Sequence, residues 1–263
     1  MMNRIGASTS CFYPLETEKA LGKVIDIGFK NAEIFFNSSS ELEEPFVKKM
    51  REQADDGGVN ILSIHPFSSF IENTCIFGEY ERRYEDFIDL YKKHFHAAAL
   101  LGADIAVIHG ALAVQKRNIP EEHYFERFAK LMEIGRAEGV RVCQENVVRF
   151  RSQSTDFCKR MKNVLGDDLK FVFDVKQSIR SGYDPFDFLN EIKDDVVHIH
   201  ISDNNATDDC LPPGKGSFDF KKLFATMDGA GYNGGYVIEI YSKGLEVEKE
   251  LIKSKEYFDT MFK

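Results

Sequence analysis

Residues 196–204 read VVHIHISDN. In an extended chain successive side chains alternate between faces, so His198 and His200 share one side and Val197, Ile199 and Ile201 take the other. Apolar residues dominate the run, as in a strand covered on both faces, the condition of a parallel sheet flanked by helices. A histidine at the end of such a strand is either hydrogen-bonded in a core or aimed at something that takes nitrogen as a ligand.

Seven further runs share this character: RIGAST (4–9), AEIFF (32–36), VNILSIH (59–65), DIAVIH (104–109), VRVCQE (140–145), KFVFD (170–174) and GYVIEIY (235–241). Between them apolar residues recur at helical spacing, as in LETEKALGKVIDIGF (15–29) and the longest such run, 79–102. Glycine follows several of these runs, in IGF, DDGGV, LGAD and AEGV, where a helix C-terminus favours a left-handed residue. Strands alternating with helices imply a parallel sheet. Eight cycles, with no linker or low-complexity stretch, predict an α/β fold, a single-domain (β/α)8 TIM barrel over residues 1–263. A doubly wound open sheet is the alternative, but no G-x-G-x-x-G follows the first strand.

The 43 Asp and Glu outnumber the 34 Lys and Arg, a net charge of −9. That balance argues against a broad nucleic-acid footprint, and no nucleic-acid partner is expected. Five cysteines with no C-x-x-C pair read as reduced thiols. No apolar run reaches the roughly 18 residues of a membrane span, and the first residues lack the long apolar segment of an export signal. The expectation is a cytoplasmic protein that does not engage a membrane.

A barrel of this kind carries its chemistry at the C-terminal strand ends. From the third strand to the eighth these ends are His65, His109, Glu145, Asp174, His200 and Glu239. Carboxylates and imidazoles crowded on one rim repel or pay for desolvation unless something neutralises them, and a divalent cation does so. Glu145, Asp174, His200 and Glu239 form an oxygen-rich set with one nitrogen, suited to Mn²⁺, Mg²⁺, Co²⁺ or Fe²⁺ and tolerant of Zn²⁺. His65 and His109 stand beside Glu145 and can complete a second, Zn-like site. His198 reads as a hydrogen-bonded core histidine, and His94, His96 and His123 as packing or surface residues of helices. Asp203 reads as a loop-start residue that orients one of the strand-seven imidazoles. Phe12, Tyr13, Phe67 and Phe70 can cover the apolar face of a sugar or pack beneath loops. Arg149, Lys176, Arg180 and Lys215 can meet a phosphate or sugar carboxylate, or be ordinary surface charge.

With GFKNAEIFF, IHPF, VIHG, the Glu-Asn of QENVV, FDVKQ, HIHISDN, LPPGKGSFDF and VIEI in place, the chain resembles the xylose isomerase-like TIM barrels over nearly its whole length. That group includes the sugar phosphate isomerase/epimerase family, ketose 3-epimerases, inosose-processing enzymes and endonuclease IV-type AP endonucleases. The resemblance implies one divalent metal held by Glu145, Asp174, His200 and Glu239, with Glu145 and Glu239 as the catalytic pair exchanging protons with a small carbohydrate. Substrate contacts are expected from His65, His109, Lys215 and Gln177, at whose position the epimerases usually hold a histidine, and the resemblance implies a homo-oligomer. The implied activity is a metal-dependent isomerase or epimerase of a small sugar, sugar phosphate or polyol ketone, proceeding through an enediolate. The alternatives are an inosose-type dehydratase, a two-metal AP endonuclease or phosphodiesterase, and a sugar-binding barrel without catalysis. The nuclease-type third metal site is in doubt, because its two histidine positions are Gln177 and Cys210 here.

Overall fold

The computed structural model describes residues 4–114, 119–241 and 246–263. Eight strands form: β1 (Ile5–Ser8), β2 (Asn31–Phe35), β3 (Asn60–His65), β4 (Ile105–Ile108), β5 (Arg141–Glu145), β6 (Lys170–Asp174), β7 (Val196–Ile201) and β8 (Tyr236–Ile238). Each pairs in parallel with its neighbours in chain order, and β1 pairs with β8, so the sheet closes into a barrel. The (β/α)8 TIM barrel expected from the alternating pattern is the fold observed. β4 and β8 stop one residue earlier than the apolar runs suggest, which leaves His109 and Glu239 just past their strands. At β4 the Gln144 amide donates to the carbonyls of both Ile108 and His109, and Gly110 turns the chain away at φ 89°.

The described helices are α1 (Thr17–Ile27), α2 (Glu44–Gly57), α3 (Glu72–Cys75), α4 (Glu81–Leu101), α5 (Glu121–Ala137), α6 (Thr155–Leu165), α7 (Val175–Arg180), α8 (Pro185–Ile192), α9 (Phe220–Gly229) and α10 (Val247–Met261). Gly28, Gly58 and Gly102 end α1, α2 and α4 in the left-handed conformation, as their positions in the sequence suggested. Short α3 and α7 are additions to the eight-cycle plan, and α7 starts directly after Asp174 with no intervening loop. None of the described helices is long and apolar enough to cross a membrane.

The main core lies between the sheet and its ring of helices. A separate apolar cluster of Ile105, Val107, Cys143 and Val172 comes from β4, β5 and β6. Buried polar residues include Glu33 on β2, Ser63 on β3, Glu145 on β5, Asp174 on β6, and His198 and His200 on β7. A closed barrel has no room for unpaired charges, so these polar groups must satisfy one another or a ligand.

Candidate metal and proton-transfer site

Glu145, Asp174, His200 and Glu239 come from the ends of β5, β6, β7 and β8. One ligating atom from each lies within 4.8 Å of all the others. His200 Nδ1 sits 3.0 Å from Glu145 Oε1 and 3.7 Å from both Asp174 Oδ2 and Glu239 Oε2. Glu145, Asp174 and His200 are buried, and Glu239 is the partly open member. Three carboxylate oxygens and one imidazole nitrogen at this spacing fit a divalent ion.

The opposite nitrogen of His200 donates to Glu33 Oε2 at 3.0 Å. Ser63 Oγ donates to the same oxygen at 2.8 Å, and His198 Nε2 lies 3.4 Å away. Glu33 thus aims Nδ1 of His200 at the other three donors, the arrangement that orients histidine ligands in metal sites. Burial opposes charge on His200, but Glu33 first, then Glu239, Asp174 and Glu145, hold its imidazole well above the usual range. Burial likewise opposes ionisation of Glu33, and His200 and His198 reverse it, so its carboxyl stays well below the usual range. Glu33 was not among the residues read as functional. Its signal in the sequence is an acidic residue inside the apolar run AEIFF. His198, bound to Ser63 Oγ at 3.1 Å, is the core histidine expected. Burial pushes its pKa down.

His65, His109 and Glu145 make a second group. The two imidazole Nε2 atoms are 3.0 Å apart, and His109 Nε2 is 3.0 Å from Glu145 Oε2. His109 Nδ1 has no hydrogen-bond partner among the described residues. Glu145 therefore turns Oε1 to His200 and Oε2 to the histidine pair, and these donors suit the second, Zn-like ion anticipated there. Phe35 stacks on the His65 ring at 4.7 Å and fixes its plane.

Hydrogen bonds to backbone groups hold the strand ends. Asn146 donates to the Asp174 carbonyl and accepts from the Asp174 N–H, at 3.0 and 2.7 Å. Asp174 Oδ1 accepts the Gln177 N–H at 3.0 Å and caps α7, which leaves Oδ2 facing the other donors. Buried Glu72 accepts the Gly110 N–H at 2.6 Å and holds the turn after His109.

The remaining candidates divide. Gln177 is buried on the cavity wall, with its Oε1 taking the Val148 N–H at 3.2 Å. Lys215 is not brought to the cavity: its ammonium pairs with Glu250 on α10 at 3.2 Å, nearly half exposed. Arg180 binds Asp209 through two hydrogen bonds of 2.7 Å, so the segment that would carry a nuclease-type third site holds an ion pair instead. Arg149 is exposed. Lys176 is the buried exception, 1% exposed, with its ammonium bonded to Asp174 and Glu239. Asp203 orients neither imidazole. Its carboxylate accepts the backbone N–H groups of Asn204, Gly214, Gly216 and Phe218, each at 2.9 Å, and folds the LPPGKGSFDF segment back on itself. A Cβ at Gly216 would lie 2.4 Å from that carboxylate, so the close approach needs glycine. His94 is buried, while His96 is half-buried and pairs with Glu138 at 3.0 Å. His123 donates to the Gly78 carbonyl at 3.3 Å.

A cavity of 470 Å³ opens above the donors. His65, His109, Glu145 and Glu239 stand in its lining, and Tyr13, Phe35, Phe67, Phe70 and Tyr241 supply aromatic wall. Phe12 is not part of that lining and packs against the core.

A closed (β/α)8 barrel with carboxylates and imidazoles on successive strand ends belongs to the class of barrels whose chemistry lies at the C-terminal mouth. This chain belongs to the xylose isomerase-like TIM barrel family, whose model matches residues 21–261. It is similar to an uncharacterized protein of Methanocaldococcus jannaschii, 24% identical over 96% of this chain and 87% of the relative. It is also similar to inosose dehydratase of Lacticaseibacillus casei, 22% identical over 92% of this chain and 88% of the relative. Among solved structures, a D-tagatose 3-epimerase-like protein superposes with a TM-score of 0.81 at 21% identity, covering 98% of this chain and 96% of the other.

Proposed function

We propose that this barrel is a divalent-metal-dependent isomerase or epimerase of a small sugar, sugar phosphate or polyol ketone. The observation that carries the reading is the meeting of Glu145, Asp174, His200 and Glu239 within 4.8 Å, with Glu145 and Glu239 lining a 470 Å³ cavity. Likeness to a D-tagatose 3-epimerase-like protein supports it. The four residues would hold Mn²⁺, Mg²⁺, Co²⁺ or Zn²⁺, and His65, His109 and Glu145 a second ion. A bound divalent ion supplies Lewis acidity that polarises a carbonyl and its neighbouring hydroxyl.

The chain's own residues do the rest. Glu145 and Glu239 are carboxylates at the reacting face, with burial opposed by His109 and His200 for Glu145 and by Lys176 and His200 for Glu239; both are held below the usual range. One removes the proton beside the substrate carbonyl, an enediolate forms, and the other returns the proton to the opposite face or to the adjacent carbon. Gln177, and in the absence of a second ion His65 and His109, offer hydrogen bonds to substrate hydroxyls, and the aromatic walls exclude water. The outcome of the same proton removal changes if a hydroxide leaves, giving a dehydration. Similarity to an inosose dehydratase favours testing for it. The test is proton exchange at the carbon beside the carbonyl in deuterated water, across ketoses, their phosphates and inososes, with product analysis. Exchange that Glu145→Gln and Glu239→Gln each abolish supports the reading; exchange that survives both removes these residues from the chemistry.

A further inference from the structure

Asp174 and Glu239 already have a cation. Lys176 is the second residue of α7, and because that helix starts without a loop its side chain lies back over the donors. Its ammonium bonds Asp174 Oδ2 and Glu239 Oε2, the same two oxygens that stand 3.7 Å from His200 Nδ1. Two of the four donors of the metal set are thus engaged by an ammonium that is itself buried. A dication and an ammonium cannot both sit against the same two oxygens, since like charges at contact repel strongly where water does not screen them. Glu145 differs: its Oε1 and Oε2 stand 3.0 Å from the imidazoles of His200 and His109, and among the described residues no ammonium engages either oxygen. An aromatic face that the Arg180 guanidinium already approaches to 5.2 Å is close by. The Tyr241 ring lies 5.8 Å from Lys176 Nζ, on the cavity wall.

We propose that Lys176 is an internal counter-ion that occupies the Asp174–Glu239 half of the site and competes with the divalent metal, which binds only by displacing the ammonium toward Tyr241. This rests on the metal-site reading above. It follows that the ion-free barrel is not left with unneutralised carboxylates, and that its metal affinity is lower than its four donors alone would give.

Wild type, Lys176→Met and Lys176→Gln, each stripped with a chelator, would be titrated with Mn²⁺ by calorimetry and melted with and without Mn²⁺. The expected result is at least tenfold tighter Mn²⁺ binding by the variants. Their ion-free forms should melt below wild type and gain more from added Mn²⁺. The glutamine variant serves if methionine prevents folding. Equal or weaker Mn²⁺ binding by the variants, with wild type binding one equivalent, overturns the competition and leaves the metal reading standing. Absence of Mn²⁺ binding in all three proteins overturns both.

Discussion

Lowering the pH should unfold this barrel partly through one buried histidine, His94 of α4. Its ring is fully buried among Phe36, Phe67 and Tyr91, with centroids 5.2–6.0 Å away. Nδ1–H donates to the Leu90 carbonyl at 3.1 Å, and Nε2 has no partner among the described residues. A proton added at Nε2 would be a buried charge with nothing to receive it, so burial pushes the pKa from 6.5 down to about 4. In the unfolded chain the same imidazole takes up its proton near 6.5. Between these values the unfolded state binds a proton that the folded state does not, so stability falls as pH falls. The contribution is fully present above pH 6.5 and is lost progressively toward pH 4. The full gap is worth about 3–4 kcal/mol at roughly 1.4 kcal/mol per pH unit. The assay is urea unfolding of wild type and His94→Gln from pH 7.5 to pH 4. Other groups titrate in both proteins, so the difference between them isolates His94. The stability of wild type relative to the variant should drop by about 3 kcal/mol across that range. A difference that stays flat with pH would show that the folded protein accommodates the charge, and would refute the reasoning. Because Phe67 lines the cavity, protonation of His94 should also loosen one wall of the site.

The other predictions concern the site and its supports. Glu33→Gln should keep the fold but weaken Mn²⁺ binding about 10- to 100-fold, because His200 loses the carboxylate that orients it; calorimetric affinities matching wild type would rule Glu33 out as a positioning residue. Glu145→Gln and Glu239→Gln should each cut substrate proton exchange by about 10²–10⁴-fold, read by proton NMR in deuterated water. Asp203→Ala should cost about 2–4 kcal/mol in chemical denaturation, since it removes the acceptor of four backbone N–H groups at once; a loss under about 1 kcal/mol would show that water replaces the carboxylate. Lys215→Ala should leave turnover within about twofold, because the half-buried Lys215–Glu250 pair lies outside the cavity lining.

Much of the site was legible because a strand and its end carry positional information. Alternation fixes which side chains share a face, and apolar runs mark where each strand stops. From these, His65, Glu145, Asp174 and His200 could be set on the barrel mouth by counting along the chain. His109 and Glu239 lie one residue beyond their strands, close enough for the same rule to find them. The helix ends were equally local, because a left-handed residue after a helix is a property of glycine itself.

Contacts across the barrel were not legible in this way. Glu33 meets His200 from 167 residues away, and Ser63 meets His198 from 135 away. Neither pair is implied by anything near it in the chain. They arise because closing the sheet turns β2, β3 and β7 inward onto one volume, where buried polar groups must find partners. The same holds for the three lysine and arginine side chains whose positions are now distinct. Lys176, Lys215 and Arg180 each read as a cation that could meet a ligand or be ordinary surface charge. The direct start of α7 after Asp174 folds Lys176 into the metal set, the turn pinned by Asp203 leaves Lys215 beside α10, and Asp209 claims Arg180. Local sequence thus determined the eight-cycle barrel and the ring of acids and imidazoles at its mouth, since period and turn chemistry act between near neighbours. Which charges neutralise one another was decided by the tertiary structure alone, because Coulomb pairing depends on distance in space, and chain separation does not set that distance.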